Sequence, residues 1–231
     1  MIRPLWPAPL AVASGGRQTH LFSNHHPGDV RGSKCGLFLG ETAKLRQVRL
    51  PRSLKIMNKE KVILPPNSIE VEGPIIFLAG PIRGAQDWQG EAIKIIHRIN
   101  PQISIASPRR EYLDGEFVYE RQVDWETKYL RRSAKNGVIL FWLSKEFEHD
   151  HGRAYAQTSR FELAEWKMRH EHDGAKLVIG IEDGFTGARY IRRRFSQDCP
   201  NVLILNSLED TCKKAVELTI KSQSEEGQNT K

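Results

Sequence analysis

Two glutamates and a pair of arginines are the residues best placed to do chemistry. Glu126 falls on the apolar stripe of a helical segment, in the order Tyr119, Val123, Glu126, Leu130, Ala134. A carboxylate on such a stripe is either ion-paired or functional, and burial should raise its pKa. Glu162 stands near the start of the next helical segment, Thr158-Ser159-Arg160-Phe161-Glu162-Leu163. Two readings compete there. Ser159 and Glu162 fit a capping box, with the acid three residues after the cap. Alternatively the helix N-terminus faces a ligand crevice, and its dipole holds Glu162 ionised as a nucleophile. Arg109 and Arg110, in Ser107-Pro108-Arg109-Arg110, could grip a phosphate or a carboxylate, or could form a solvated turn beside Glu111. Gly80 and Gly84 of AGPIRGAQDW allow a tight turn and close approach of backbone to a ligand. That segment has neither GxGxxG nor a Walker A pattern, so a dinucleotide or P-loop site is not supported. His149 and His151 on a polar loop, and His170 and His172 before Gly174, are weak metal signals.

These residues sit in a regular series of elements. Apolar runs of strand length occur at 75–79, 103–106, 138–143, 177–181 and 202–205. Helical patterns lie between and after them, at about 86–99, 117–135, 158–171, 187–195 and 208–221. Near-continuous apolar strands alternating with helices predict an α/β fold: a doubly wound, five-stranded parallel sheet with helices on both faces, of flavodoxin size. Ligands of such sheets bind beyond the carboxyl ends of the strands, where strand order reverses. The segments to watch are therefore 80–88, 107–110, the long 144–157 connection and 182–187. Connections as long as 144–157 often serve as lids or binding loops.

Charge and composition narrow the function classes. The chain has 231 residues and a net charge of +7. Residues 1–56 hold nine of the 35 Lys/Arg and two of the 28 acids, so the remaining 26 and 26 cancel. The body thus has no net field to attract nucleic acid, which ranks last among partners. Residues 1–56 are read as a basic leader that is disordered or dispensable, with Met57 the favoured start, 57–221 as the domain, and 222–231 as a disordered tail. No apolar run is long enough for a membrane span. Cys35, Cys199 and Cys212 form no CxxC and no even set, which points to a reducing, cytoplasmic setting.

FLAGP (77–81), Trp88, PRR (108–110), QVDWE (122–126) with Leu130, ILFW (139–142), FEL (161–163) and LVIGIE (177–182) occur in this order. The set resembles the nucleoside 2-deoxyribosyltransferase-like family. The resemblance implies a flavodoxin-like fold and cleavage of the N-glycosidic bond of (deoxy)nucleosides or their monophosphates. It makes Glu162 the nucleophile that forms a glycosyl-enzyme, after which a second base or water takes the sugar, as in retaining glycosyl transfer. It places Phe77, Gly80, Pro81, Asp87 and Trp88 around the substrate, with Arg109 or Arg110 near a phosphate. Where the family's transferases carry a tyrosine this chain has Phe77, and where they carry an aspartate it has 154–158 without an acid. Glu126 is assigned the missing acid. The expectations are a small-molecule nucleoside or nucleotide ligand, no cofactor and no metal, and a possible homo-oligomer. A nucleotide-binding domain without catalysis stays open as the alternative to an enzyme.

Overall fold

The computed structural model describes residues 61–110 and 118–228, with side chains to Ser222. The expected leader, 1–56, lies outside the described residues. A six-stranded parallel sheet forms the centre: β1 (Val62–Ile63), β2 (Ile75–Ala79), β3 (Ser104–Ala106), β4 (Gly137–Leu143), β5 (Leu177–Ile181) and β6 (Ile204–Leu205), in the spatial order β1-β3-β2-β4-β5-β6. Five helices connect and follow these strands: α1 (Trp88–Ile99), α2 (Tyr119–Lys135), α3 (Gln157–Asp173), α4 (Ala188–Asp198) and α5 (Leu208–Gln228). Leaving β1 aside, the strand order is that of flavodoxin-like folds.

The apolar runs become strands buried on both faces, because side chains alternate across a strand. Ile75, Phe77 and Ala79 enter one core with Trp125 and Tyr129 of α2, Leu163 and Trp166 of α3, and Phe195 of α4. Ile76 and Leu78 enter the other, with Trp88, Ala92 and Ile96 of α1 and Cys212, Ala215 and Val216 of α5. Helices therefore cover both faces, as the sequence predicts.

Three expectations need correction. The sheet has six strands, not five. Its extra edge strand is only two residues long, pairing Val62 with Ile105 and Ile63 with Ala106, and Pro65-Pro66 end it before any period develops. The last helix runs on to Gln228, where a disordered tail was expected from residue 222. Gln223, Glu225 and Glu226 are good helix formers, no proline interrupts the run, and the single glycine, Gly227, falls at its very end. Finally, the buried face of α2 is Trp125, Tyr129, Leu130 and Ser133, while Tyr119 and Val123 are exposed.

Hydrogen bonds explain why the large aromatics of α2 turn inward. Trp125 Nε1 donates to the Asn67 carbonyl at 2.7 Å. Tyr129 Oη donates to the Ile69 carbonyl at 3.0 Å and accepts from the Ile69 amide at 2.8 Å. Each ring buries its apolar body and satisfies its polar tip, so α2 is fixed against the β1–β2 connection. Trp125 also stacks obliquely on Phe77, with centroids 6.2 Å apart.

Candidate active site

β2 and β4 are neighbours, yet the chain leaves β2 toward β3 and only then crosses to β4. That is the switch point, and a cavity of about 400 Å³ opens there. Its floor is Phe77 and Ala79 of β2; Gly80–Arg83 and Pro108 form one wall, Tyr119, Gln122, Val123 and Glu126 another, and Arg153 with Ala156–Ser159 and Glu162 the third.

Gly80 is required at the floor's edge. Its φ is +150°, and a Cβ there would collide with the Trp142 carbonyl and lie 2.8 Å from the Trp88 ring. Trp88 is buried and donates its Nε1 hydrogen to the Pro81 carbonyl at 2.8 Å, holding the wall from behind. Asp87 is the N-cap of α1, its Oδ1 accepting from the Gly90 amide at 3.0 Å. Arg109 reaches back across the same loop. Its Nε donates to Gln89 Oε1 at 2.9 Å and lies 3.1 Å from Asp87, and its Nη2 donates to the carbonyls of Ile82 and Gln86, each at 3.2 Å. Phe77, Gly80 and Pro81 thus face the cavity, whereas Asp87, Trp88, Arg109 and Arg110 are absent from its lining. Trp88 and Arg109 clamp the loop that forms the wall; their side chains have partners that a ligand would have to displace.

The third wall is built by the connection after β4. The amides of Phe147 and Glu148 both donate to the Gly84 carbonyl, at 2.7 and 3.1 Å. Tyr155 Oη donates to the Ser144 carbonyl at 2.8 Å and lies 3.0 Å from that of Lys145, closing the segment on itself. The chain then enters α3 through Ala156, a non-glycine residue with φ of +56°, and no side chain caps the helix. Such a strained residue is found where surrounding structure holds it, often at functional sites. The first turn, Gln157, Thr158 and Ser159, carries no acid and lines the cavity.

This start corrects the capping-box reading. The helix begins at Gln157, two residues before Ser159, so Ser159 lies inside it and is buried. Glu162 belongs to the second turn and faces the cavity rather than folding back.

Glu126 and Glu162 come together from two helices in one cavity. Burial, then the charge of Glu126, then that of Glu165, push the Glu162 carboxyl up to about 8. Burial also raises Glu126, against a hydrogen bond from Gln122 that lowers it. The expectation of a dipole-ionised Glu162 therefore fails at neutral pH: desolvation and like charge outweigh a helix end worth well under ~2 kcal/mol. Glu162 is mostly protonated at neutral pH.

Sequence reasoning missed Arg83, Gln122, Arg153 and Thr158 among the lining residues. Gln122 stands four residues before Glu126, a spacing that puts both on one helix face, so its signal was present. Arg153 was inside the connection expected to be a binding loop. His149 and His151 meet edge to edge with centroids 4.5 Å apart, and His149 Nδ1 lies 2.8 Å from Glu146. Among the described residues no group of three or more His, Cys, Asp or Glu could hold a metal ion. Cys199 and Cys212 are buried free thiols. Among the described residues no helix is long and apolar enough to cross a membrane.

Residues 73–185 match the family model described as nucleoside 2-deoxyribosyltransferase like. Over that span the chain is similar to the nucleoside 2-deoxyribosyltransferase-like family. The span runs from just before β2 to just beyond β5, and every residue lining the cavity falls within it. No curated protein matches the chain. That similarity supports a general role in nucleoside glycosyl transfer.

Proposed function

We propose that the protein cleaves or transfers at the N-glycosidic bond of (deoxy)nucleosides or nucleoside monophosphates, with Glu162 as nucleophile and Glu126 as acid. The observation that carries this reading is the convergence of the two glutamates in the switch-point cavity of a deoxyribosyltransferase-like domain. A carboxylate attacks C1′ only when ionised, and a departing base leaves best when protonated. A pair with one shared proton supplies both forms. The proton passes from Glu162 to Glu126, the Glu162 oxygen bonds to C1′, and the C1′–N electron pair goes to the base nitrogen, which takes the proton from Glu126. Water or a second base then displaces Glu162 from the sugar.

Arg83, Arg153 and the acid-free first turn of α3 favour a monophosphate, with hydrolysis as the outcome when water is the acceptor. Backbone amides at a helix N-terminus and arginine side chains are common partners of phosphate.

Intact-protein mass spectrometry after incubation with deoxynucleosides and their monophosphates tests the reading, with released base assayed in parallel. A gain of one deoxyribosyl unit that maps to Glu162, and disappears in Glu162→Ala, is the expected result. Cleavage that persists in Glu162→Ala would refute the nucleophile. Ligand binding without adduct or free base would instead support a binding domain without catalysis.

A further inference from the structure

Gln122 shares the cavity lining with the two acids and ties one of them to the backbone that follows β3. Its Nε2 donates to Glu126 Oε1 at 2.7 Å and to the Pro108 carbonyl at 3.1 Å. A carbonyl and an ionised carboxylate can only accept, so both amide hydrogens are committed and the orientation of the amide is fixed. Pro108 follows the end of β3, which is paired on both sides within the sheet. The Glu126 carboxylate is thereby referenced to the sheet and not only to its own helix. The amide oxygen of Gln122 is buried with no hydrogen-bond partner. A methionine or leucine would fill the same space without leaving a polar atom unsatisfied, so packing does not account for a glutamine here.

We propose that Gln122 is a positioning residue that fixes Glu126 and keeps it the anionic member of the pair, so that the resting proton stays on Glu162. This rests on the functional reading above for its consequence, but not for its test. Glu126 has an N–H donor that favours its charged form, whereas at Glu162 burial and two neighbouring carboxylates act without such an offset. The other charged or titratable groups around the pair are Arg83 from the β2–α1 loop, Arg153 from the β4–α3 connection, Tyr119 on α2, and Glu165 one turn along α3. Glu165 is itself held 2.9 Å from Arg169. In the proposed reaction Gln122 sets the starting position of the proton that must cross to Glu126.

The test is a carbon-13 NMR titration of the glutamate carboxyls in the full chain without substrate, with Glu126→Gln and Glu162→Gln spectra for assignment. Gln122→Met removes the amide and keeps the shape; Gln122→Asn keeps an amide but shortens its reach, and guards against a single misfolded variant. Each is expected to raise the Glu126 midpoint by about one to two pH units, the worth of a hydrogen bond to a charged group. The Glu162 midpoint falls as its neighbour's charge is lost. Unmoved midpoints in either folded variant would overturn the proposal. If wild type forms the glycosyl adduct while the midpoints stay put, this role falls and the function stands. If no substrate is cleaved while the midpoints move, the reverse holds.

Discussion

Replacing Glu162 by glutamine should stabilise the protein while abolishing cleavage, and the gain should depend on pH. In the folded chain the Glu162 carboxyl titrates at about 8 instead of 4.5. Its folded pKa is raised, so the native state binds the extra proton between those values and the unfolded state does not. Stability of the wild type is therefore unaffected by this group below pH 4.5. It declines as pH rises toward 8 and levels off beyond. At about 1.4 kcal/mol per pH unit the whole penalty approaches ~5 kcal/mol, of which under ~1 kcal/mol is present at pH 5 and most at pH 9. Glu162 is partly exposed to the cavity, and water there reduces the figure; roughly 2–4 kcal/mol is the expected gain of Glu162→Gln at pH 9 over its gain at pH 5. The comparison needs urea denaturation of both proteins at the two pH values, with slopes checked for equality. Taking the difference between variant and wild type cancels every titrating group that does not interact with Glu162. An advantage that is the same at both pH values, or a loss at pH 9, would refute the account of a desolvated carboxyl facing a like charge.

Two other perturbations follow from the same geometry. Glu126→Gln removes the neighbouring charge, so Glu162 should titrate below 8 in a carbon-13 NMR titration of its carboxyl; a midpoint that stays put would mean the two carboxyls do not interact. Arg109→Ala frees the 82–89 loop from β3 and leaves Gln89 Oε1 without its donor. It should cost about 1–3 kcal/mol in thermal or urea denaturation, and raise KM more than it lowers kcat, because Arg109 holds the wall and does not line the cavity.

Much of this architecture is legible in the chain because the strands are encoded locally. IIFLA and LVIGI became β2 and β5 at their expected bounds, since a short apolar run between helical periods has few other uses in a sheet covered on both faces. The ordered motifs carried the family, and Glu126 stood out because a carboxylate on an apolar stripe is a local anomaly. The two-residue β1 was hidden because its pairing partner, β3, is more than forty residues away. Helix start is also a local contest, yet the sequence rule chose wrongly at Ser159. Tertiary contacts with Gly84 and the closure by Tyr155 deliver the chain to Ala156 in a left-handed turn, and α3 begins there.

The sequence by itself determined the layers, the strand-helix alternation, the region of the crevice and the presence of two significant glutamates. Tertiary structure alone decided which residues share the cavity. It turned Asp87, Trp88 and Arg109 into supports and brought in Gln122, Arg83 and Arg153. It also reversed the charge state expected of Glu162. A helix dipole can be read from one segment, but desolvation and the repulsion of Glu126 exist only once α2 and α3 close around the ends of β2 and β4. Burial and pairwise electrostatics depend on distances that the chain sets by folding, not by spacing along it.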